Sequence, residues 1–270
     1  MRTPSTLWAE LARRLPHADL VAVLSDFDGT LSPLIPYPRR ARLPALTRRA
    51  LRRLARCPRV QVAIVSGRRL EELRRLVSVP DIWYVGSHGL EFCPPRGRRI
   101  VYASVAERRQ MRAFARRLKH RLRRLAGIWV EPKPASVTVH FRRATSVATR
   151  QARAIVTPEW RRENPPVRFQ QAKKVWEFLP TRDVSKATAA AWLLARWSRP
   201  RRGWRAARPG RRLALSLGDD QADERVFRRL GPAAISIHVG RGPTRARYRL
   251  RSPEAAGRLL ARLGEALGCA

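Results

Sequence analysis

Acidic residues, cysteines and long apolar runs are all scarce in this chain of 270 residues. Its three cysteines are odd in number and have no CxxC or metal-ligand spacing, which suggests neither a disulfide framework nor a zinc site. Residues 8–15 carry arginines where a signal peptide needs its apolar stretch, and no run of about 18 apolar residues occurs. We therefore expect a protein of the reducing cytoplasm that has no membrane-spanning segment.

The shortage of acidic residues leaves a large positive charge. Only 20 acidic residues face 58 basic ones, which gives a formal net charge of +38, while a hydrophobic content of 44% is that of a globular chain. The arginines are scattered through periodic segments, as at Arg108-Arg109 and Arg116-Arg117, and do not form one tail. This distribution fits a solvated arginine coat, and it leaves open nonspecific binding of a polyanion such as nucleic acid.

Five short apolar runs recur, and each ends at a polar or glycine-containing turn. Runs of this kind are typical of parallel strands that are covered by helices on both faces. Helical periodicity between them, as in residues 43–54 and 70–77, predicts a Rossmann-like doubly wound α/β core with a parallel sheet. Residues 198–211, rich in Pro, Gly and Arg, are predicted to form an exposed loop. The five runs are residues 20–24, 60–65, 82–85, 213–217 and 234–237.

The pattern changes in the middle of the chain. Apolar residues three and four apart predict a helix over residues 105–125, and strict alternation predicts a strand over residues 136–141. Strands joined by hairpins beside two helices are typical of a small α+β unit. We therefore predict a core domain of residues 1–91 and 183–270, with an inserted α+β cap domain of residues 92–182. The remaining elements predicted for the cap are strands at 99–103, 128–131, 167–170 and 174–179, and a helix at 148–160.

Acidic side chains follow the first and fourth predicted strands. Asp26 and Asp28 come directly after the first strand, and Asp219-Asp220 come after the fourth. Ligands of doubly wound sheets bind beyond the carboxyl ends of the strands, so these carboxylates are expected to meet there. In that position Asp26 can act as a nucleophile that accepts a phosphoryl group, and Asp28 can act as the acid and base.

A carboxylate that attacks a phosphate dianion needs nearby positive charge. Mg²⁺ is typically bound by one or two carboxylates, which Asp219 and Asp220 supply, with Asp223 in support. Ser66, after the second strand, offers a hydroxyl group to the phosphate, and Lys186 can neutralise the charge of the transition state. Each of these motifs alone is common in loops. Their joint occurrence, in order, at strand ends of one sheet predicts a phosphatase.

In this order the residues resemble the motifs of the haloacid dehalogenase superfamily of phosphatases, which are DxDGT, a Ser or Thr, a Lys and an acidic cluster. More narrowly, the chain resembles the trehalose-6-phosphate phosphatase family over about residues 20–260. The segments that carry the resemblance are Asp26-Phe27-Asp28-Gly29-Thr30-Leu31-Ser32-Pro33, Ser66-Gly67-Arg68, Gly86-Ser87-His88-Gly89-Leu90-Glu91, Glu131-Pro132-Lys133-Pro134-Ala135-Ser136, His140-Phe141-Arg142, Gly218-Asp219-Asp220-Gln221-Ala222-Asp223-Glu224 and Val239-Gly240.

The resemblance implies hydrolysis of trehalose 6-phosphate, the last step of trehalose biosynthesis, through an aspartyl-phosphate intermediate. It implies that Asp26, the backbone carbonyl of Asp28 and Asp219 bind Mg²⁺, and that Asp220 and Asp223 support these ligands without binding the ion directly. It also implies that a cap closes over the sugar. The residues implied to lie near the sugar phosphate are Arg68, His88, Glu91, Glu131, Lys133, Ser136 and Arg142. From the sequence alone, His88 is as well explained as a turn residue, and Glu131 with Lys133 as a surface ion pair.

Two residues depart from the family pattern: Ala187 stands where the family usually has Gly, and Ala222 where it often has Thr. Neither change removes a catalytic group.

The expected partner is a small sugar phosphate, and we expect a monomer. Two alternatives stay open, namely a related phosphatase for sucrose phosphate or a glucosylglycerol- or mannosyl-type phosphate, and a nucleic-acid-binding protein on the same fold.

Overall fold

The computed structural model describes residues 4–35, 40–172, 174–181, 183–198 and 211–269. The chain divides into two compact units, one of residues 1–100 and 185–270 and the other of residues 101–184. No helix in the described ranges is long and apolar enough to cross a membrane. The exposed loop predicted at 198–211 lies outside the described residues, apart from its two ends.

Twelve strands and eight α-helices make up the described chain. The strands are β1 Leu20–Ser25, β2 Val60–Val65, β3 Trp83–Gly86, β4 Glu91–Cys93, β5 Ile100–Val101, β6 Trp129–Pro132, β7 Val137–His140, β8 Val167–Ala172, β9 Val175–Pro180, β10 Arg212–Gly218, β11 Ile235–Val239 and β12 Tyr248–Leu250. The helices are α1 Pro4–Arg14, α2 Ala45–Arg56, α3 Leu70–Val77, α4 Val105–Leu122, α5 Ser146–Arg161, α6 Lys186–Trp197, α7 Gln221–Leu230 and α8 Pro253–Ala266.

An eight-stranded sheet forms the centre of the first unit, in the order β12-β11-β10-β1-β2-β3-β4-β5. All neighbours from β12 to β3 are parallel, and β4 pairs antiparallel with β3. The five predicted core strands coincide with β1, β2, β3, β10 and β11, so the predicted doubly wound α/β fold is confirmed. The strand expected at residues 99–103 is only the two-residue β5, at the edge of this sheet.

Both faces of the sheet are covered, which explains why its strands are almost continuously apolar. Along β1, Val21 and Val23 belong to one hydrophobic cluster, together with side chains of α1, α2, α3 and α8. Leu20, Ala22 and Leu24 alternate with them and belong to a second cluster, with side chains of α6 and α7. Every residue of β1 is buried, so the strand end that carries Asp26 is held firmly.

The second unit is an antiparallel sheet of order β6-β7-β9-β8 with the helices α4 and α5. Its core is built from Phe114 of α4, Val137 of β7, Phe178 of β9 and their neighbours. A capping box between Ser104 and Glu107 begins α4, which ends at Leu122. The strands predicted at 128–131, 136–141, 167–170 and 174–179 and both predicted helices are present in this unit within a few residues of their expected bounds. The strand predicted at 99–103 belongs to the eight-stranded sheet instead. The assignment of this unit as a cap remains a proposal.

A disulfide joins Cys57 to Cys269, so the expectation of no disulfide was wrong. The Cα atoms of the two residues are 5.2 Å apart, although 212 positions separate them in the chain. Cys57 follows α2 and Cys269 follows α8, and these helices belong to the same hydrophobic cluster. Local cysteine spacing carries no information about a pair that only helix packing brings together. Cys93 is free and buried.

Candidate active site

Four neighbouring parallel strands deliver polar residues to one edge of the sheet. Asp26 follows β1, Ser66 follows β2, the turn of residues 87–89 follows β3, and Asp219 follows β10. Because β10, β1, β2 and β3 are adjacent and parallel, their carboxyl ends lie side by side. The motifs predicted to converge therefore come from neighbouring strand ends of one sheet.

Lys186 connects the predicted nucleophile to the acidic cluster. Its Nζ donates hydrogen bonds to Oδ1 of Asp26 at 2.7 Å and to Oδ1 of Asp223 at 3.1 Å. All three side chains are buried. Lys186 is the first residue of α6, whose start is held by a capping box between Ser185 and Thr188. Ala187, where the family has Gly, packs into the second hydrophobic cluster and leaves these contacts of Lys186 in place.

Asp223 organises the loop that carries Asp219 and Asp220. Its Oδ2 accepts hydrogen bonds from the backbone amides of Asp219 at 3.0 Å and of Asp220 at 3.3 Å. In return, the backbone amide of Asp223 donates to Oδ1 of Asp220 at 2.9 Å, which completes a capping box at the start of α7. Both oxygens of Asp223 thus accept hydrogen bonds, which fixes the loop of Asp219 and Asp220 relative to Lys186.

The donor atoms fit a hard cation. Asp26, Asp219 and Asp223 offer carboxylate oxygens that all lie within 4.8 Å of one another. Oxygen atoms of carboxylates are the ligands that Mg²⁺ prefers. Thr30 also donates a hydrogen bond to Oδ1 of Asp219 at 3.3 Å, which orients that carboxylate. Asp26, Asp220 and Asp223 lie within 4.0 Å of Nζ of Lys186, and Asp219 lies beside Asp26 and Asp223. The charges of these five residues balance only with a further cation or with bound protons.

The acid–base properties of the cluster reflect this excess of negative charge. Burial, together with the charges of Asp219 and other carboxylates, raises the pKa of Asp26 to about 8 despite the opposing charge of Lys186. Burial and the charges of Asp223 and Asp220 raise the pKa of Asp219 to about 7. Burial alone would lower the pKa of Lys186, but Asp223 and Asp26 hold it well above its ordinary value. An ionised Asp26 is therefore favoured by added positive charge.

Arg68 holds the carboxylate of Asp28. Its Nε donates to Oδ2 of Asp28 at 2.6 Å and its Nη2 to Oδ1 at 2.7 Å, while Nη1 contacts Glu72. Such a two-point pair fixes the orientation of both side chains. Its backbone amide also donates to Oγ of Ser66 at 3.2 Å. Arg68, which the resemblance places near the sugar phosphate, is thus a residue that positions Asp28.

His88 lies beside Ser66. Its backbone amide donates to the carbonyl oxygen of Ser66 at 3.1 Å, and its ring lies over Gly67, where an added β-carbon would stand 2.5 Å from Nε2. Glu91, by contrast, is 1% exposed, and its two oxygens contact Oγ of Ser87 at 2.5 Å and Nε of Arg99 at 3.2 Å. Through these contacts the carboxylate of Glu91 stabilises the turn after β3.

The second unit contains the other residues that the resemblance implies. Lys133 and Glu177 form a buried pair, with Nζ 3.6 Å from Oε1, and Glu131 lies 2.9 Å from Nε2 of His140. Ser136 is buried and Arg142 is exposed. Glu177 was missed in the sequence, although an acidic residue inside the apolar strand Val-Trp-Glu-Phe-Leu is a signal that could have revealed it.

Comparison with known proteins gives a consistent result. Residues 24–254 match the family described as Trehalose-phosphatase. The chain is 33% identical over 257 residues to the trehalose-phosphate phosphatase of Mycobacterium marinum (strain ATCC BAA-535 / M), with 91% of this chain and 62% of that protein covered. It is 36% identical over 256 residues to the enzyme of the same name from Mycobacterium avium (strain 104), with the same coverage. The chain therefore spans about 62% of the length of these curated relatives.

Solved structures share the fold. Trehalose-6-phosphate phosphatase of Aspergillus fumigatus, in crystal form 3, is 26% identical with a TM-score of 0.65, over 95% of this chain and 97% of that one. The C-terminal domain of the Candida albicans trehalose-6-phosphate phosphatase gives a TM-score of 0.76 at 20% identity, over 95% and 96% of the two chains. At that identity the second likeness concerns the fold alone.

Proposed function

The chain belongs to the trehalose-phosphatase family, and we propose that it hydrolyses trehalose 6-phosphate to trehalose and phosphate, the last step of trehalose biosynthesis. The observation that carries this proposal is the buried Lys186, which joins Asp26 to Asp223 beside Asp219. The substrate is proposed from the names of the relatives in Mycobacterium and of the solved enzyme from Aspergillus fumigatus.

The first step uses Asp26 as the nucleophile. One of its carboxylate oxygens attacks phosphorus, the bond between phosphorus and the sugar oxygen breaks, and Asp28 gives a proton to that leaving oxygen. The product is an aspartyl-phosphate on Asp26 and free sugar. Lys186, at 2.7 Å from Asp26, favours the ionised nucleophile and helps to offset the charge of the phosphate.

The second step uses water. Asp28 takes a proton from a water molecule that attacks phosphorus, the bond between phosphorus and Asp26 breaks, and inorganic phosphate leaves. Arg68 donates two hydrogen bonds to the carboxylate of Asp28, which orients the ionised form that accepts the proton in this step. At the end Asp26 is ionised and Asp28 is protonated, so the site is ready for another substrate.

Mg²⁺, when bound, supplies positive charge that offsets the repulsion between the carboxylate nucleophile and the phosphate. We assign Asp26, Asp219 and the backbone carbonyl of Asp28 as its ligands. Asp220 and Asp223 support them through the hydrogen bonds at the start of α7. Oxygen donors and uncompensated negative charge favour Mg²⁺ over a softer metal ion.

For the sugar, we propose the second unit as the cap and its polar side chains as hydroxyl-binding groups. The buried pair of Lys133 and Glu177 is the strongest candidate, because its charged groups are fixed and oriented. His88, Glu131, Ser136 and Arg142 are proposed as further contacts. We do not assign Glu91 to the sugar, because its two oxygens are engaged within the core.

Phosphate release by the purified protein tests the proposal. We expect turnover of trehalose 6-phosphate in the presence of Mg²⁺ at a kcat/KM well above that for sucrose 6-phosphate or glucose 6-phosphate. Equal rates on all three would indicate a general sugar-phosphate phosphatase, and preference for sucrose phosphate would indicate a sucrose-phosphate phosphatase.

A cytoplasmic location and a monomeric state are also part of the proposal. Size-exclusion chromatography with light scattering tests the monomeric state.

A further inference from the structure

One flank of α4 carries a continuous row of cations. Arg109, Arg112, Arg116, Lys119 and Arg123 follow one another at alternating spacings of three and four residues, and all five are exposed. Residues at these spacings lie on the same face of a helix. At a rise of 1.5 Å per residue, the α4 row, as we call these five residues, extends over about 21 Å.

The opposite flank of α4 is different, because its cations are paired. Arg117 contacts Glu159 of α5 and Glu163, two residues after the end of α5, and Arg121 contacts Glu159. No acidic side chain among the described residues pairs with Arg109, Arg112, Arg116 or Lys119, and Arg123 contacts only the neighbouring ring of His120. The unit thus neutralises one side of the helix and leaves the other positively charged.

An unpaired row of this kind works against the helix that carries it. Like charges three and four residues apart repel each other, and the α4 row contains four such neighbouring pairs. The helix is held by apolar packing of Met111, Phe114 and Leu118 and by the ion pairs of its opposite flank, so the row itself adds no stabilising pair. A linear anion laid along the row would remove the repulsion at several positions together.

We propose that the α4 row binds the phosphate backbone of a nucleic-acid strand without preference for base sequence. Guanidinium groups pair with phosphate oxygens through two parallel hydrogen bonds, and four of the five residues are arginines. A membrane surface fits less well, since an interfacial helix inserts its apolar face into lipid and the apolar face of α4 is buried in the unit's own core. This inference does not depend on the proposed phosphatase activity.

The test is fluorescence anisotropy of a labelled single-stranded DNA of about 20 nucleotides, with the full chain, at increasing salt concentration. We expect the logarithm of the binding constant to fall with the logarithm of salt concentration, by about 0.7 per phosphate neutralised. The variant R109Q/R112Q/R116Q/K119Q is expected to bind at least about tenfold more weakly and to reduce that slope by about 2 to 3.

A second variant separates the α4 row from overall charge. R49Q/R56Q/R74Q/R75Q removes the same number of exposed positive charges from α2 and α3 of the first unit. We expect it to weaken binding by less than about threefold. Equal losses in the two variants, or no binding by the unaltered chain, would overturn the proposal. So would capture by vesicles rich in phosphatidylserine with no binding to DNA. Melting temperatures no lower than that of the unaltered chain, together with unchanged phosphatase rates, verify that both variants are folded.

Discussion

Gly29 lies so close to Asp219 that a β-carbon added to Gly29 would overlap the carboxylate of Asp219. The backbone of Gly29 also has φ = +83°, a conformation that side chains disfavour. The turn after β1 and the acidic turn after β10 therefore close against each other only because this position has no side chain. The pairing of β1 with β10 brings the predicted nucleophile and a predicted metal ligand to neighbouring strand ends, and Gly29 leaves the space that the carboxylate of Asp219 occupies.

Replacement of Gly29 by Ala is expected to displace Asp219 and to lower phosphate release at least about a hundredfold. Gly242→Ala is the matched control, because Gly242 has φ = +111° but open space around the added carbon. Both variants should lose about 1–2 kcal/mol of stability from backbone strain. Kinetic assays and thermal melts measure the two effects, and similar activity in both variants would contradict the role of the contact.

Asp26→Asn should abolish Mg²⁺-dependent phosphate release, with a loss of roughly a thousandfold or more. The amide is nearly the same size as the carboxylate but is a poor nucleophile. The substitution leaves the buried ammonium group of Lys186 without the charge of Asp26. We therefore expect a change in the free energy of unfolding, and circular dichroism measures the fold of the variant in parallel. Substantial turnover by a folded Asp26→Asn variant would exclude the assigned mechanism, as would a failure to trap phosphate on unaltered Asp26.

Binding of Mg²⁺ should strengthen as pH rises from 6 to 8.5. Burial raises the pKa of Asp26 to about 8 and that of Asp219 to about 7, so both hold protons at the lower end of this range. A metal ion needs ionised ligands and must displace those protons. Calorimetry in two buffers of different ionisation enthalpy should show proton release at pH 7. An affinity that is independent of pH would count against these carboxylates as ligands.

The same pKa shifts have a consequence for the metal-free protein. Because the pKa of Asp26 rises from 3.8 to about 8 on folding, the folded state holds the proton more tightly than the unfolded state does. This contribution to stability is complete below pH 4 and is lost as pH rises towards 8. Thermal melts without metal should show that decline, and excess Mg²⁺ should reduce it.

The buried pair in the second unit gives a test of sugar binding. Changing Lys133→Gln together with Glu177→Gln removes both charges without leaving one of them buried and unpaired. We expect kcat/KM for trehalose 6-phosphate to fall about a hundredfold, while the rate on p-nitrophenyl phosphate, which has no sugar hydroxyls, changes by less than about threefold. Exposed Lys174→Gln serves as the control. A parallel loss on both substrates would point to a structural role.

The Cys57–Cys269 disulfide should stabilise the fold. Cys57→Ser is expected to lower the free energy of unfolding by about 2–4 kcal/mol, because the bond closes a long loop. Dithiothreitol should lower the melting temperature of the unaltered chain and of Cys93→Ser, but not that of Cys57→Ser. Alkylation of thiols in a fresh cell extract would show whether the pair is reduced in the cell. A melting temperature of the unaltered chain that does not respond to dithiothreitol would contradict the stabilising role of the disulfide.

The sequence determined the alternation of strands and helices and the positions of the main acidic motifs. Strands buried on both faces must be almost continuously apolar, so β1, β2, β3, β10 and β11 are visible as runs, and polar residues at their ends stand out. Asp26, Ser66 and Asp219 could be found in this way because each directly follows one of these strands.

Only the tertiary structure decided which distant groups touch. The pairing of Arg68 with Asp28, of Lys133 with Glu177 and of Cys57 with Cys269 joins residues that are 40 or more positions apart. No local periodicity records such contacts, since each depends on how separate strands and helices pack. Gly29 illustrates both kinds of information. Its place in the motif predicts a turn from the sequence alone. That a side chain there would collide with Asp219 is visible only in the structure, because Asp219 follows a strand nearly 200 positions later.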